Sequence, residues 1–366
     1  MKVLNVCEVL FPQTVGGAGR AARSLAVALA RQGVQIAFFT RDTSSRPVDD
    51  AFPITYYPPP GRSLPSDLRR RLSRQIREFQ PDLIHVHQAF PAYFGLQTPP
   101  DLPYVYTFYS PWAAELIAKA SPWPVVLRRL VRPLYAHIER SVLESASTIA
   151  VLSRFSAHQL EEAYGLKSRV IPGGVDIDHF APPPAPVNAP GTRLITVRNL
   201  VPRMGLESLI DAMGLLPPNF ELEIAGAGPL KNALVSRIRE SGLHDRVRLR
   251  GRVPDEELPR FYGEADWFVL PTRELEGFGL VILESLACGT PVLGTRIGAI
   301  PELLERLDPE WVISDPSPGA IARTIRHVAG KGRVDRDHLR NFALQYSWDT
   351  IADQYLRLYK NVIAGA

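Results

Sequence analysis

Glu276 and Glu284 stand eight residues apart, with Gly277 and Gly279 between them. The apolar run Trp267–Leu270 before them reads as a strand, and Leu280–Ala287 has helical spacing. The glycines therefore fall in a strand–loop–helix turn. The first N–H groups of a helix have no intrahelical partner and carry partial positive charge, so such a turn suits an anion such as a diphosphate. Glycine there lets a ligand approach the backbone. Carboxylates do not bind phosphate, so the partners of Glu276 and Glu284 would be sugar hydroxyls or a cation. The spacing leaves a second reading open, with Glu276 a helix-start charge and Glu284 a surface residue.

A second glycine turn, Val15-Gly16-Gly17-Ala18, follows the first apolar run. It fits either approach to phosphate or acceptor, or a plain tight turn. His85 and His87 alternate on one strand face, a structural arrangement more than a catalytic one. No third ligand is spaced to complete a metal site with them. Cys7 and Cys288 lie far apart in apolar surroundings, which fits small core residues and demands no oxidising compartment.

Short apolar runs alternate with helical patterns throughout. Val3–Leu10 reads as a strand, Ala18–Gln32 as a helix stopped by Gly33, and Val34–Thr40 as the next strand. Leu83–His87, Tyr104–Thr107, Thr148–Leu152 and Arg169–Ile171 read as further strands. After the Pro-rich stretch 181–190 the alternation restarts. It runs from Leu194–Val197 through Glu221–Ala225, Val247–Leu249 and Trp267–Leu270 to Pro291–Gly294, and a last helix covers Trp348–Ile363. The class is α/β, with two Rossmann-like parallel-sheet domains and a ligand cleft expected between them. The 366-residue length agrees with two domains. The expected division is 1–180, a linker at 181–190, 191–346, and a terminal segment 347–366.

Net charge is +4 and uneven. Residues 1–180 carry 20 basic against 15 acidic side chains, and the remainder 22 against 23. A mildly basic first half fits an anionic ligand or membrane surface. No run is long and apolar enough for a transmembrane helix. The opening MKVLNVCEVLF is interrupted by Glu8 and reads as a buried strand, not a signal peptide. No motif points to nucleic acid.

The run E-G-F-G-L-V-I-L-E at 276–284, followed by G-T-P-V at 289–292, resembles the signature of retaining nucleotide-sugar glycosyltransferases of family four, which have the GT-B fold. The Gly-Gly turn, Asp82–His87, Val170–Asp176 with Phe180, Ile224–Pro229 and Arg248–Val253 are similar to other elements of that family. The resemblance implies that the C-terminal helix crosses back to the first domain. It implies that Glu276 faces the donor sugar, and that Gly277, Phe278, Gly279 and Leu280 line sugar and diphosphate. Glu284 would bind the ribose, Val253 would lie beside the nucleobase, and Gly16 and Gly17 would approach the ligands.

Three positions depart from the family pattern. Aligned on Leu200, Pro202 and Gly205, Asn199 stands where the family has Arg, and Met204 where it has Lys. Both cations that face the diphosphate are missing. Arg198 and Arg203 each stand one residue away and are the candidates to replace them, since Arg can fork two phosphate oxygens. In Tyr106–Trp112, Tyr109 takes the position of the family's His near the reacting sugar. A phenol is a poor base at neutral pH but a competent hydrogen-bond donor, so Tyr109 would orient substrate.

The expected activity is retaining, hexosyl-type transfer from a nucleoside-diphosphate sugar to a hydroxyl of a glycan, a lipid-linked sugar or a small molecule, with no metal or cofactor. The alternatives are a catalytically silent nucleotide-sugar-binding protein and a sugar-nucleotide epimerase on the same fold. Leu68–Phe79 and Trp123–Arg140 are basic helical stretches that could meet an anionic membrane, although the apolar residues of the second fit a core. The expected location is cytoplasmic, with peripheral contact at the inner face of a membrane.

Overall fold

The computed structural model describes residues 1–11, 17–43, 51–59, 65–96, 102–118, 125–183, 191–332 and 334–365. The chain divides into two compact units. One holds Met1–Ile117, Trp123–Gly174 and Trp348–Ala366, and the other holds Val175–Ser347.

In the first unit the strands are β1 (Lys2–Val6), β2 (Gln35–Arg41), β3 (Ile54–Tyr57), β4 (Leu83–Val86), β5 (Tyr104–Phe108), β6 (Thr148–Val151) and β7 (Arg169–Val170). They pair in parallel in the order β3-β2-β1-β4-β5-β6-β7. The helices are α1 (Gly17–Arg31), α2 (Pro65–Phe79), α3 (Ala89–Gly95), α4 (Trp112–Ala118), α5 (Val125–Glu144) and α6 (Arg154–Tyr164). In the second unit β8 (Thr192–Val197), β9 (Phe220–Ala225), β10 (Val247–Gly251), β11 (Trp267–Leu270), β12 (Val292–Thr295) and β13 (Val312–Ile313) pair in the order β10-β9-β8-β11-β12-β13. Its helices are α7 (Leu206–Gly214), α8 (Lys231–Glu240), α9 (Leu258–Gly263), α10 (Leu280–Ala287), α11 (Ile300–Leu304), α12 (Pro318–Ala329) and α13 (Arg336–Leu344). The last helix, α14 (Trp348–Ala364), belongs to the first unit and packs on α1.

The sequence dictates these layers simply. Strands covered on both faces need continuous apolar runs, and β4, β5, β11 and β12 are buried along their whole length. α1 turns Ala21, Ala22, Leu25, Ala26, Ala28 and Leu29 inward at helical spacing and ends on Arg31, favourable at a helix C-terminus. Cys7 and Cys288 are both buried free thiols.

Several boundaries differ from the sequence reading. β1 stops at Val6, not Leu10. The units divide between Gly174 and Val175, earlier than residue 180, because Val175 donates to the Tyr346 carbonyl and Phe180 packs edge-on against Tyr262. Linker residues 184–190 lie outside the described residues. No element was expected between Gly294 and Trp348, yet α11, β13, α12 and α13 stand there. α11 and β13 are too short to register a period. The Ser317-Pro318 start of α12, with the Ser317 side chain accepting from the Ala320 N–H, was a readable cap. In α5, Ile138, Val142 and Leu143 are core residues, whereas Leu130 and Leu134 are 70% and 57% exposed, so the core reading fails for that outer part of the helix.

Candidate functional site

The second unit's sheet changes direction between β8 and β11. The chain runs from β8 outward to β9 on one side and from β11 to β12 on the other. Open parallel sheets bind ligands at the carboxyl ends of such a strand pair. There β8 delivers Arg198, and β11 delivers the turn Pro271–Gly279. Arg198 Nη2 donates to Glu276 Oε2 at 2.6 Å and to Thr272 Oγ1 at 2.9 Å. The two charged side chains are only 6% and 14% exposed, so the pair is poorly screened by water. Arg198 Nε has no hydrogen-bond partner among the described residues.

The turn itself is braced from three sides. Leu275 has φ of +55°, a left-handed conformation that costs a side-chain-bearing residue roughly 1–2 kcal/mol. Arg203 Nη1 donates to the Leu275 carbonyl at 2.7 Å, and the Arg203 carbonyl accepts from the Arg273 N–H at 2.8 Å. On the far side Ala299 N–H donates to the Glu276 carbonyl at 2.9 Å. Gly298 has φ of +61°, and a Cβ there would stand 2.2 Å from that carbonyl oxygen. Gly279, at φ +88°, is the N-cap of α10, which begins at Leu280.

The structure thus brings Arg198, Arg203, Glu276, Gly277 and Gly279 together at one strand-pair mouth. Phe278 is buried, its ring 6.4 Å from that of Tyr346, so the turn offers its backbone there and not the ring. Glu284 is 7% exposed, and its Oε2 accepts from the Tyr262 hydroxyl at 2.9 Å. That excludes the surface reading of Glu284. Asn199 is exposed, Met204 is buried, and Val253 follows the end of β10 half-buried.

The first unit repeats the switch between β1 and β4, where a chain of uncharged groups lies at the strand ends. His87 Nδ1 lies 2.9 Å from the Tyr109 hydroxyl, and His87 Nε2 lies 3.0 Å from Asn5 Oδ1. With Nε2 protonated toward Asn5, Nδ1 accepts the Tyr109 proton; this tautomer follows from the hydrogen-bond network. His85 bridges Thr107 at 2.7 Å and Tyr359 at 2.7 Å, and Thr107 meets Tyr355 of α14 at 3.1 Å. Burial depresses His87 to about 3. Burial, and secondarily His87, holds His85 well below the ordinary imidazole value. Burial, with the Tyr355 phenol next, pushes Tyr109 well above the ordinary phenol value.

The sequence alone suggests structural histidines and a hydrogen-bond-donating Tyr109. Instead the Tyr109 hydroxyl donates its hydrogen bond to His87 Nδ1, which leaves the phenol oxygen to accept. The alternating D-x-x-H-x-H pattern was the signal for this pairing. Gly17 opens α1, and Gly16 lies outside the described residues. Also unforeseen is the half-buried pair Arg41–Glu8 at 2.9 Å, at the ends of β2 and β1. Among the described residues no group of three or more His, Cys, Asp or Glu could hold a metal ion, and no helix is long and apolar enough to cross a membrane.

Comparison with known proteins matches residues 15–179 to the family described as Glycosyltransferase Family 4, and residues 183–343 to Glycosyl transferases group 1. The chain is 30% identical over 327 residues to a D-inositol 3-phosphate glycosyltransferase of Arthrobacter sp. (strain FB24), covering 78% of this chain and 75% of that protein. It is 27% identical over 247 residues to a GDP-mannose-dependent alpha-(1-6)-phosphatidylinositol monomannoside mannosyltransferase of Mycobacterium tuberculosis (strain CDC 1551 / Oshkosh). That match spans 60% of this chain and 63% of the relative's length. Among solved structures, sucrose-phosphate synthase from Thermosynechococcus elongatus superposes with a TM-score of 0.80 at 22% identity, covering 100% of both chains.

Proposed function

Because this chain belongs to the family-four glycosyltransferases of GT-B fold, we propose that it transfers a sugar from a nucleoside-diphosphate sugar to a hydroxyl acceptor with retention of configuration. The observation that carries this reading is the carboxylate of Glu276 beside the α10 start, with Arg198 on that carboxylate and Arg203 on the preceding Leu275 carbonyl. In this reading Glu276 accepts from the donor-sugar hydroxyls. The Gly279–Leu280 backbone N–H groups face the diphosphate, and Glu284 accepts from the ribose hydroxyls. The acceptor oxygen bonds to the anomeric carbon as the bond from that carbon to the diphosphate oxygen breaks, and the departing phosphate takes the acceptor's proton. Tyr109 accepts a substrate hydroxyl and moves no proton itself.

Stabilising the departing diphosphate is the main electrostatic task, and one such donor is typically worth ~2.7–4 kcal/mol. Met204 is buried where the family has a cation. Arg198 is already compensated by Glu276, so Arg203 and the helix start bear most of this task. The buried Met204 and exposed Asn199 also favour the second reading, donor binding without transfer.

A thermal-shift screen against nucleoside-diphosphate sugars tests donor binding by mass action. Incubating the donor that binds, with and without hydroxyl acceptors, then separates the readings. Transfer or slow donor hydrolysis supports the enzyme, no reaction supports the silent binder, and an epimerised donor supports the epimerase.

The names of the relatives support an inositol-type or lipid-linked acceptor. Peripheral contact with an anionic membrane at its cytoplasmic face draws support from exposed Leu130, Arg132 and Leu134 on α5 and from exposed Arg69, Arg70, Arg71, Arg74 and Arg77 on α2. Flotation with phosphatidylglycerol vesicles, reduced by L130S/L134S, is the expected result.

A further inference from the structure

Glu139 is a buried carboxyl group that the proposed reaction does not use. It projects from α5 and is 2% exposed. Its Oε2 accepts from the backbone N–H of Trp112 at 2.7 Å and from the Tyr164 hydroxyl at 2.6 Å, while Oε1 faces the Tyr106 hydroxyl at 3.4 Å. Trp112 is the first residue of α4 and stands three residues after Tyr109. One turn earlier on α5, Tyr135 packs on the Trp112 indole at 4.4 Å between ring centroids. α5 therefore grips Trp112 twice, by its backbone and by its ring.

We propose that Glu139 is a positioning residue whose hold on Trp112 fixes the Tyr109–Trp112 turn, and that protonation of its carboxyl loosens that turn. The proposal rests on the role given to Tyr109 above. The bonding pattern says where the proton goes. Oε2 already accepts two hydrogen bonds, so the proton must sit on Oε1 and point at the Tyr106 oxygen. The Tyr106 hydroxyl then has to turn from donor to acceptor. The bond from Trp112 survives but loses its charge assistance, which roughly doubles the strength of such a bond.

Burial raises the Glu139 carboxyl to about 7, against the lowering effect of the bonds from Tyr164, Trp112 and Tyr106. The surrounding groups are mostly neutral. β5 contributes Tyr104 and Tyr106, and α6 contributes Tyr164; burial is the main force holding all three phenols above their ordinary value. Arg140 lies over the Tyr164 ring at 5.6 Å and donates to the Tyr164 carbonyl. Also on α5, His137 and Arg132 are exposed. On α4, Glu115 accepts from Ser110. Protonation therefore changes the hold on Trp112 within the neutral range, and the ionised form holds it more tightly.

The test is a pH titration of Trp112 fluorescence in the full chain, taken as the difference between wild type and W112F. The expected result is a single transition with its midpoint near pH 7, absent in E139Q, whose amide imitates the protonated acid. A flat wild-type titration, or the same transition in E139Q, overturns the proposal. The infrared band of the protonated carboxyl, lost as the wild type is taken through pH 7 and missing in E139Q, gives a readout that needs no tryptophan variant. Donor turnover then separates the hold of Glu139 on the turn from the role of Tyr109. If Tyr109 acts as proposed, kcat rises through the same midpoint in wild type and is flat in E139Q at the low-pH value. A fluorescence transition without a kcat inflection contradicts the role of Tyr109 while supporting the hold of Glu139 on the turn.

Discussion

The two units carry the same sheet architecture to two different chemistries. Each presents polar side chains at the carboxyl ends of the strand pair where its topology reverses. In the second unit those groups are ionic, Arg198, Arg203 and Glu276, mounted on a strained turn. In the first, beside the half-buried Arg41–Glu8 pair, burial keeps His87 and Tyr109 neutral, and one chain of hydrogen bonds links them to Asn5. The difference fits the two halves of the proposed reaction. A charged diphosphate needs fixed charge and backbone N–H groups, whereas a hydroxyl acceptor needs only aligned lone pairs.

If charge pairing defines the second unit, breaking it should have the largest effect. E276A leaves the buried Arg198 guanidinium uncompensated, and loss of one partner of such a pair costs about 3–5 kcal/mol. Urea unfolding should register that loss, and the donor's preference over its bare nucleoside diphosphate should disappear with it. A much smaller cost would mean that the pair is solvated and the contrast between the units overstated.

The first unit's response to pH follows next. Glu139 titrates near 7 in the folded chain, above the ordinary 4.5. The folded state therefore binds the extra proton between those values, so stability falls as pH rises through that window and is level above it. The full change is about 3 kcal/mol. E139Q removes this dependence, and its stability relative to wild type should rise between pH 5 and pH 8 in paired denaturation curves.

Y109F should cost about 1–2 kcal/mol, because it leaves His87 Nδ1 buried without its donor. A change within error would show that water replaces the phenol and that the neutral chain is looser than its distances imply. Smallest is L275G, which relieves the left-handed strain at φ +55°. It should leave stability within about 1 kcal/mol of wild type, offset by the extra freedom of the unfolded chain. Donor binding should weaken more than stability, since the turn presenting Glu276 is freed.

How much of this was legible in the sequence differs between the units in the same way. The Glu276–Glu284 turn was readable because its chemistry lies within one local strand–loop–helix. Its bracing was not, since Arg198 and Arg203 reach it from 78 and 72 residues away and only the folded sheet joins them. The Arg198–Glu276 pair follows from β8 and β11 being neighbours, a fact that no local pattern states. In the first unit the period-two spacing of His85 and His87 was visible, but their partners come from β1, β5 and α14. Glu139 lay inside a basic, apolar helical stretch and had no motif to single it out. Its importance comes from burial alone, which a periodicity argument assigns to the helix face but not to a carboxyl on it.

In the proposed function Glu276, held by Arg198, reads the sugar of a nucleotide-sugar donor. The direct measurement is calorimetric binding of the donor sugar and of its bare nucleoside diphosphate to the full chain, in wild type and in E276Q. Wild type is expected to prefer the nucleotide sugar and E276Q to bind both ligands alike, with affinity for the bare diphosphate retained. An unchanged preference for the nucleotide sugar in E276Q would contradict it.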